Sequence, residues 1–150
     1  MGQTLTSLNA HIIFSTKSRI PAITADIRIE LHPYFGGIAN NVDCVALAVG
    51  GVDDHVHCLI SIPSKMAVAE LVRLLKSNSS KWIRQRFPKR DWPGWQTGYG
   101  AFSVSKSNLA DVVEYINQQE AHHKVMSFQE EFTKFLERHD VPYDPRYVWE

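Results

Sequence analysis

Hydrophobic and polar positions along this chain repeat at two different periods, and the switches between them mark out the elements. Leu8, Ala10, Ile12 and Phe14 alternate with Asn9, His11, Ile13 and Ser15, the period of two that predicts a half-buried strand. A helical stretch opens at Pro21 and Thr24 and runs to about residue 40, weakened near its end by Gly36 and Gly37. Residues 42–49 read as an apolar strand, 50–54 as turn chemistry and 55–62 as another strand stopped by Pro63; together they predict a hairpin. Val68, Leu71, Val72, Leu75, Trp82 and Ile83 then recur at three- and four-residue steps, the stripe of an amphipathic helix about 20 residues long. A loop rich in Pro, Gly and Trp fills 88–100, and 101–105 predicts a further strand. Ser107 or Asn108 caps a helix whose apolar stripe is Leu109, Val112, Val113 and Ile116. An amphipathic helix covers about 127–138, and the aromatic, Pro-containing tail from about 139 to 150 reads as an extended strap. The order β-α-β-β-α-β followed by helices predicts an α+β fold with a split βαβ, ferredoxin-like antiparallel sheet.

Composition adds bounds. The 150 residues suit one domain over 1–150, since domains run roughly 100–200 residues. No apolar run reaches the ~18 residues of a membrane span, and no basic stretch precedes the apolar N-terminal segment as in a signal peptide. Cys44 and Cys58 are too few for a disulfide scaffold and suit a reducing cytosol.

The zero net charge hides a segregation. Residues 71–106 hold eight basic side chains and one acidic, whereas both flanking segments carry an excess of acid. Arg73, Lys76, Lys81 and Arg84 fall on the polar face of the long helix, with Trp82, Trp92, Trp95 and Tyr99 interleaved or close behind. A solvated helix face accounts for the charges alone. Basic groups with aromatics also suit a nucleic acid, whose backbone the charges hold and whose unpaired bases the rings stack on.

His55-Val56-His57 carries the candidate chemistry. On a strand this spacing puts both imidazoles on one face, roughly 7 Å apart, and sends Val56, Cys58 and Ile60 into the core. Two imidazoles on one sheet face begin a metal site, although a bare His-x-His is common on sheet surfaces. Tyr115 and Gln119, four apart, share one helix face. Gln119 offers an amide oxygen to complete a His-His-Gln set; His122 and His123 are rival third ligands. Asp53 and Asp54 read first as turn residues, with Asp54 or Asp53 also placed to orient an imidazole from outside the ligand set. His11 reads as a histidine on the sheet surface.

These residues together resemble a family. His55-Val56-His57 is an HUH triplet, two histidines bracketing a bulky hydrophobic residue, and Tyr115 followed by Gln119 matches the helix of the single-tyrosine branch. The segments HIIFSTKSR at 11–19, DHVHCLISIP at 54–63, WQTGYGAFSVS at 95–105, YINQQEAHHKVMSFQEEF at 115–132 and YDPRYVWE at 143–150 are similar to the HUH single-tyrosine insertion-sequence transposases, the IS200-like transposases. The resemblance spans nearly the whole chain. It implies a ferredoxin-like or RRM-like HUH fold, with His55, His57 and Gln119 holding Mg²⁺ or Mn²⁺. It makes Tyr115 the nucleophile that cuts and rejoins single-stranded DNA through a 5′-phosphotyrosine, at element ends marked by subterminal hairpins. It further implies a bacterial or archaeal protein of the cytoplasm and nucleoid, with no membrane partner, working as a homodimer in which the tyrosine helix can complete the partner's site. Arg73, Lys76, Lys81 and Arg84 then become a track for hairpin phosphates, on the charge argument alone. A domesticated or inactive hairpin-DNA-binding protein of the same fold would read the same way.

Overall fold

The computed structural model describes residues 2–150. Four antiparallel strands, β1 (Asn9–Ser15), β2 (Val45–Gly51), β3 (His55–Ser61) and β4 (Gly100–Ser103), form one sheet in the order β2-β3-β1-β4. With helices α1 (Ala25–Asn40) after β1 and α2 (Val68–Arg86) after β3, this is the split βαβ arrangement of an α+β, ferredoxin-like fold. Three shorter helices follow: α3 (Leu109–Asn117), α4 (Gln119–His122) and α5 (Phe128–Arg138).

The pleat sorts the strand residues onto two faces. Ala10, Ile12, Phe14, Val56, Cys58 and Ile60 point to one face and pack against Leu31 and Phe35 of α1 and Leu71, Leu75 and Ile83 of α2. Ile13 and Phe102 point to the other and pack against Phe128, Phe132, Phe135 and Leu136, on α5. The sheet is therefore covered on both sides, α1 and α2 on one, α3 to α5 on the other. No described helix is long and apolar enough to cross a membrane.

Two glycines set how closely the second helical layer sits. A Cβ on Gly50 of β2 would lie 2.3 Å from the Ile116 carbonyl oxygen of α3. A Cβ on Gly100 of β4 would lie 2.5 Å from the Phe132 ring of α5. Only a bare backbone admits either contact.

The expected elements are present, with shifted ends. A single helix through Tyr115, Gln119 and His122 was expected; instead α3 stops at Asn117, Gln118 leaves helical geometry (φ −104°, ψ 20°), and α4 begins at once. The tail was expected as an extended strap; instead residues 145–149 form turns, in which the Tyr147 and Val148 amides donate to the Asp144 carbonyl. Val148 and Trp149 join the α5 cluster, and the Gly98 amide donates to the Glu150 carbonyl at 2.8 Å.

Candidate active site

Strand alternation explains the two strand histidines. With Val56 and Cys58 turned toward α1 and α2, His55 and His57 must point to the face beneath α3 to α5, and both are fully buried there. Sequence reasoning read that face as open. It placed His11 on the surface, yet His11 on β1 is 2% exposed and its Nε2 lies 2.7 Å from His57 Nδ1. The correction has one cause: periodicity says which residues share a face, not whether a later helix covers it.

The two strand histidines have unlike neighbours. His55 Nδ1 meets Asp54 Oδ1 at 2.7 Å, and its Nε2 meets Gln119 Oε1 at 3.1 Å. Burial works against the imidazolium of His55, but the bonds with Asp54 and Glu131 outweigh it and bring its pKa up to about 9. His57 has His11 on its Nδ1 side and Glu131 Oε1 at 2.9 Å from Nε2. There burial wins over Glu131, and the pKa falls to about 4.

Glu131 is the residue that sequence reasoning missed. Ser127 caps α5: its hydroxyl accepts from the Glu130 amide at 3.2 Å, which fixes the helix start. One turn in, Glu131 stands on the same face as Phe128, Phe132 and Phe135 and is 2% exposed. A carboxylate in the middle of an apolar stripe is costly unless partners meet it, and that misplacement was the available signal. Its Oε1 faces His57, His123 at 3.2 Å and His55 at 3.4 Å. Its Oε2 accepts from the Tyr115 hydroxyl, and from Gln119 Nε2 at 3.1 Å. Burial by itself would raise the carboxyl pKa; hydrogen bonds from His123, His55 and His57 reverse this and hold it far below the usual range.

Tyr115 reaches this centre because Ile116 seats α3 on Gly50. Its ring is half-buried and stacks on His122, centroids 4.5 Å apart. Burial, and then the hydrogen bond to Glu131 and its charge, push its hydroxyl pKa upward. The break at Gln118 turns Gln119 inward, where it is 2% exposed. Of the rival third ligands, His123 joins the cluster at Glu131, whereas His122 lies against the tyrosine ring with its Nε2 unpartnered.

His55, His57, His123 and Glu131 each offer a ligand atom, all within 4.8 Å of one another. This donor set fits a divalent cation. Three imidazoles and one carboxylate favour a transition ion such as Mn²⁺ over Mg²⁺, which prefers oxygen ligands.

The basic residues sit elsewhere, since α2 covers the opposite face of the sheet. Arg73 forms a two-pronged pair with Glu70. Lys76 Nζ donates to the carbonyls of Gln96, Thr97 and Gly98 at 2.8, 3.1 and 2.7 Å, and burial lowers its pKa to about 8. Its amine is spent on holding that loop. Lys81 and Arg84 are exposed, and no ion pair among the described residues takes them up.

Comparison with known proteins bears on this arrangement. The family model described as "Transposase IS200 like" matches residues 4–119. ISDra2 transposase TnpA of Deinococcus radiodurans is 27% identical over 119 residues, 75% of this chain and 84% of the relative. The transposase for insertion sequence element IS200 of Salmonella typhimurium is 29% identical over 114 residues, 73% of this chain and 74% of the relative. Among solved structures, a Deinococcus radiodurans R1 protein described as a transposase superposes with a TM-score of 0.64 at 23% identity, covering 79% of this chain and 96% of that one. A REP-associated tyrosine transposase bound to a REP hairpin superposes with a TM-score of 0.59 at 13% identity, covering 96% and 93%. These structural likenesses concern the fold.

Proposed function

The chain belongs to the IS200-like transposase family, and from that premise we propose that it cuts and rejoins single-stranded DNA at hairpin-marked ends, with Tyr115 as the nucleophile. One observation carries the reading: the Tyr115 hydroxyl, both strand histidines, Gln119 and Glu131 converge on one buried spot. The hairpin partner is proposed from the likeness to a relative bound to such DNA.

In this reading the Tyr115 oxygen attacks the scissile phosphorus. The P–O3′ bond breaks, a 5′-phosphotyrosine forms, and the departing 3′-oxygen takes up a proton. The covalent link conserves the bond energy, so a later 3′-hydroxyl can reverse the step without ATP. Glu131 accepts the hydrogen bond of the tyrosine hydroxyl and fixes where its oxygen points. His122 stacks on the ring and limits its rotation. A phenol titrates near 10 and is raised further here, so it needs help to lose its proton. His55 and His57, with Gln119, His123 and Glu131 at hand, would hold a divalent ion, Mn²⁺ or Mg²⁺. When bound, that ion polarises the phosphate and lowers the cost of the tyrosinate. Asp54 keeps the His55 ring in place from outside this set.

The test is a labelled single strand carrying the element's end hairpin, incubated with protein and Mn²⁺ or Mg²⁺ and run on a denaturing protein gel. The expected result is a metal-dependent labelled adduct that is absent in Tyr115→Phe and His57→Ala. Hairpin binding without adduct in either metal would instead identify an inactive, DNA-binding member of the family. The same material measured in solution tests the expected homodimer. Cleavage in a monomeric fraction is the result that would remove the need for a partner's tyrosine.

A further inference from the structure

His57 faces two groups with different hydrogen-bonding rules. Glu131 Oε1, 2.9 Å from His57 Nε2, is an ionised carboxylate and can only accept. His57 Nε2 therefore carries a proton, and its Nδ1 is a bare lone pair when the ring is neutral. His11 Nε2, 2.7 Å from that Nδ1, must then be the donor. Should Nε2 of His57 become a cation ligand, the order has to reverse. A nitrogen that gives its lone pair to a cation cannot keep a proton, so the proton moves to Nδ1 and His11 Nε2 must accept.

The equivalent position on His55 has no such freedom, because Asp54 can only accept at His55 Nδ1. His11 is 2% exposed and held edge-on against Phe135 at 5.0 Å, so its ring stays in place while its proton changes sides. We propose that His11 is a positioning residue for the cation site, a reversible hydrogen-bond partner whose tautomer exchanges with that of His57 when a divalent ion binds. Protons balance in the exchange. His57 Nε2 releases one to solvent, the His11 Nε2 proton crosses to His57 Nδ1, and His11 Nδ1 takes one from solvent. This inference rests on the reading that His57 is a ligand.

Two experiments test it on the full chain. Long-range proton–nitrogen NMR of histidine-labelled protein reports which ring nitrogen is protonated, with His11→Gln and His57→Gln assigning the signals. Expected are protonated Nε2 atoms on His11 and His57 without metal, and protonated Nδ1 atoms on both with Zn²⁺ as a diamagnetic probe. Unchanged His11 signals in the Zn²⁺-loaded protein would overturn the proposal. Calorimetric Mn²⁺ binding supplies the second readout. His11→Phe, which neither donates nor accepts, should weaken Mn²⁺ by about 10- to 100-fold. His11→Gln, whose amide can do either, should recover most of that loss, which a purely space-filling role would not predict. Equal Mn²⁺ affinity in His11→Phe and wild type would also overturn it. Wild-type protein that takes up neither ion would overturn the ligand reading itself, a result distinct from wild type binding normally with His11 silent.

Discussion

The two faces of the sheet are built on different physics. Toward α1 and α2, the strands present Ala10, Ile12, Phe14, Val56, Cys58 and Ile60, and the layer is held by apolar burial, worth about 25 cal/mol per Å² removed from water. Toward α3 to α5, the same strands present His11, His55 and His57, and the centre of the layer is a set of hydrogen bonds converging on Glu131. Burial is non-directional, so the first face tolerates exchange among similar side chains. A buried polar network is costly wherever a member is left unsatisfied, so the second face is less tolerant, and it is where we propose that the chemistry resides.

This contrast can be broken or sharpened experimentally. The largest effect expected is on the polar face. Tyr115→Phe should cut adduct formation on the order of 10³-fold or more and cost about 1–2 kcal/mol of stability, because Glu131 loses the hydroxyl's hydrogen bond but keeps its other partners, read from the labelled-strand gel and a melting curve. On the apolar face the pattern should invert. Leu75→Ala should cost about 3 kcal/mol of stability, measured by urea unfolding, with cleavage per folded molecule unchanged. A Leu75→Ala protein that is fully folded yet inactive would show that the two layers are not separable.

Smaller, and confined to the polar face, is a pH effect in metal-free protein. An unfolded histidine titrates near 6.5. His57 in the fold stays neutral down to about 4, so between these values the unfolded chain binds more protons and stability rises with pH. His55 keeps its proton up to about 9. From about 6.5 to 9 the folded chain therefore holds the extra proton, and this contribution to stability falls as pH rises, by up to about 1.4 kcal/mol per pH unit. Asp54→Asn removes the strongest support for the His55 proton and should flatten the fall above 6.5 in urea titrations at a series of pH values. An unaltered decline would mean that Asp54 does not hold that proton.

The smallest effect concerns the hairpin binding proposed for this chain and the part of α2 in it. Lys81→Ala should lower the slope of log affinity against log salt by about 1. Lys76→Ala should leave that slope unchanged, because its amine already serves three loop carbonyls. Equal slope changes for both lysines would return Lys76 to the phosphate track.

What could be read from the sequence follows the same division. The apolar face was legible because alternation and three-to-four spacing are the direct imprint of burial. His55, His57 and Tyr115 were legible as a motif, and the fold brings all three to Glu131. Glu131 was missed because the strand histidines it meets lie far away in the chain, and its one local mark, a carboxylate inside the apolar stripe of α5, names no partner. His11 was misplaced for lack of any local mark of the covering layer. Lys76 was counted as free charge because a tally of charges is blind to backbone carbonyls. The break between α3 and α4 was also hidden, since Tyr115 and Gln119 sit at ideal helical spacing.

Gly50 has a consequence for the history of such a chain. Every amino-acid replacement reachable from a glycine codon by one base change adds at least a Cβ. At this position that atom would strike the Ile116 carbonyl and lift α3, with Tyr115 on it, away from the sheet. The helices on the far side would be untouched. With Tyr115 as the proposed nucleophile, a single point mutation at Gly50 would silence cutting in one step while leaving every motif residue intact.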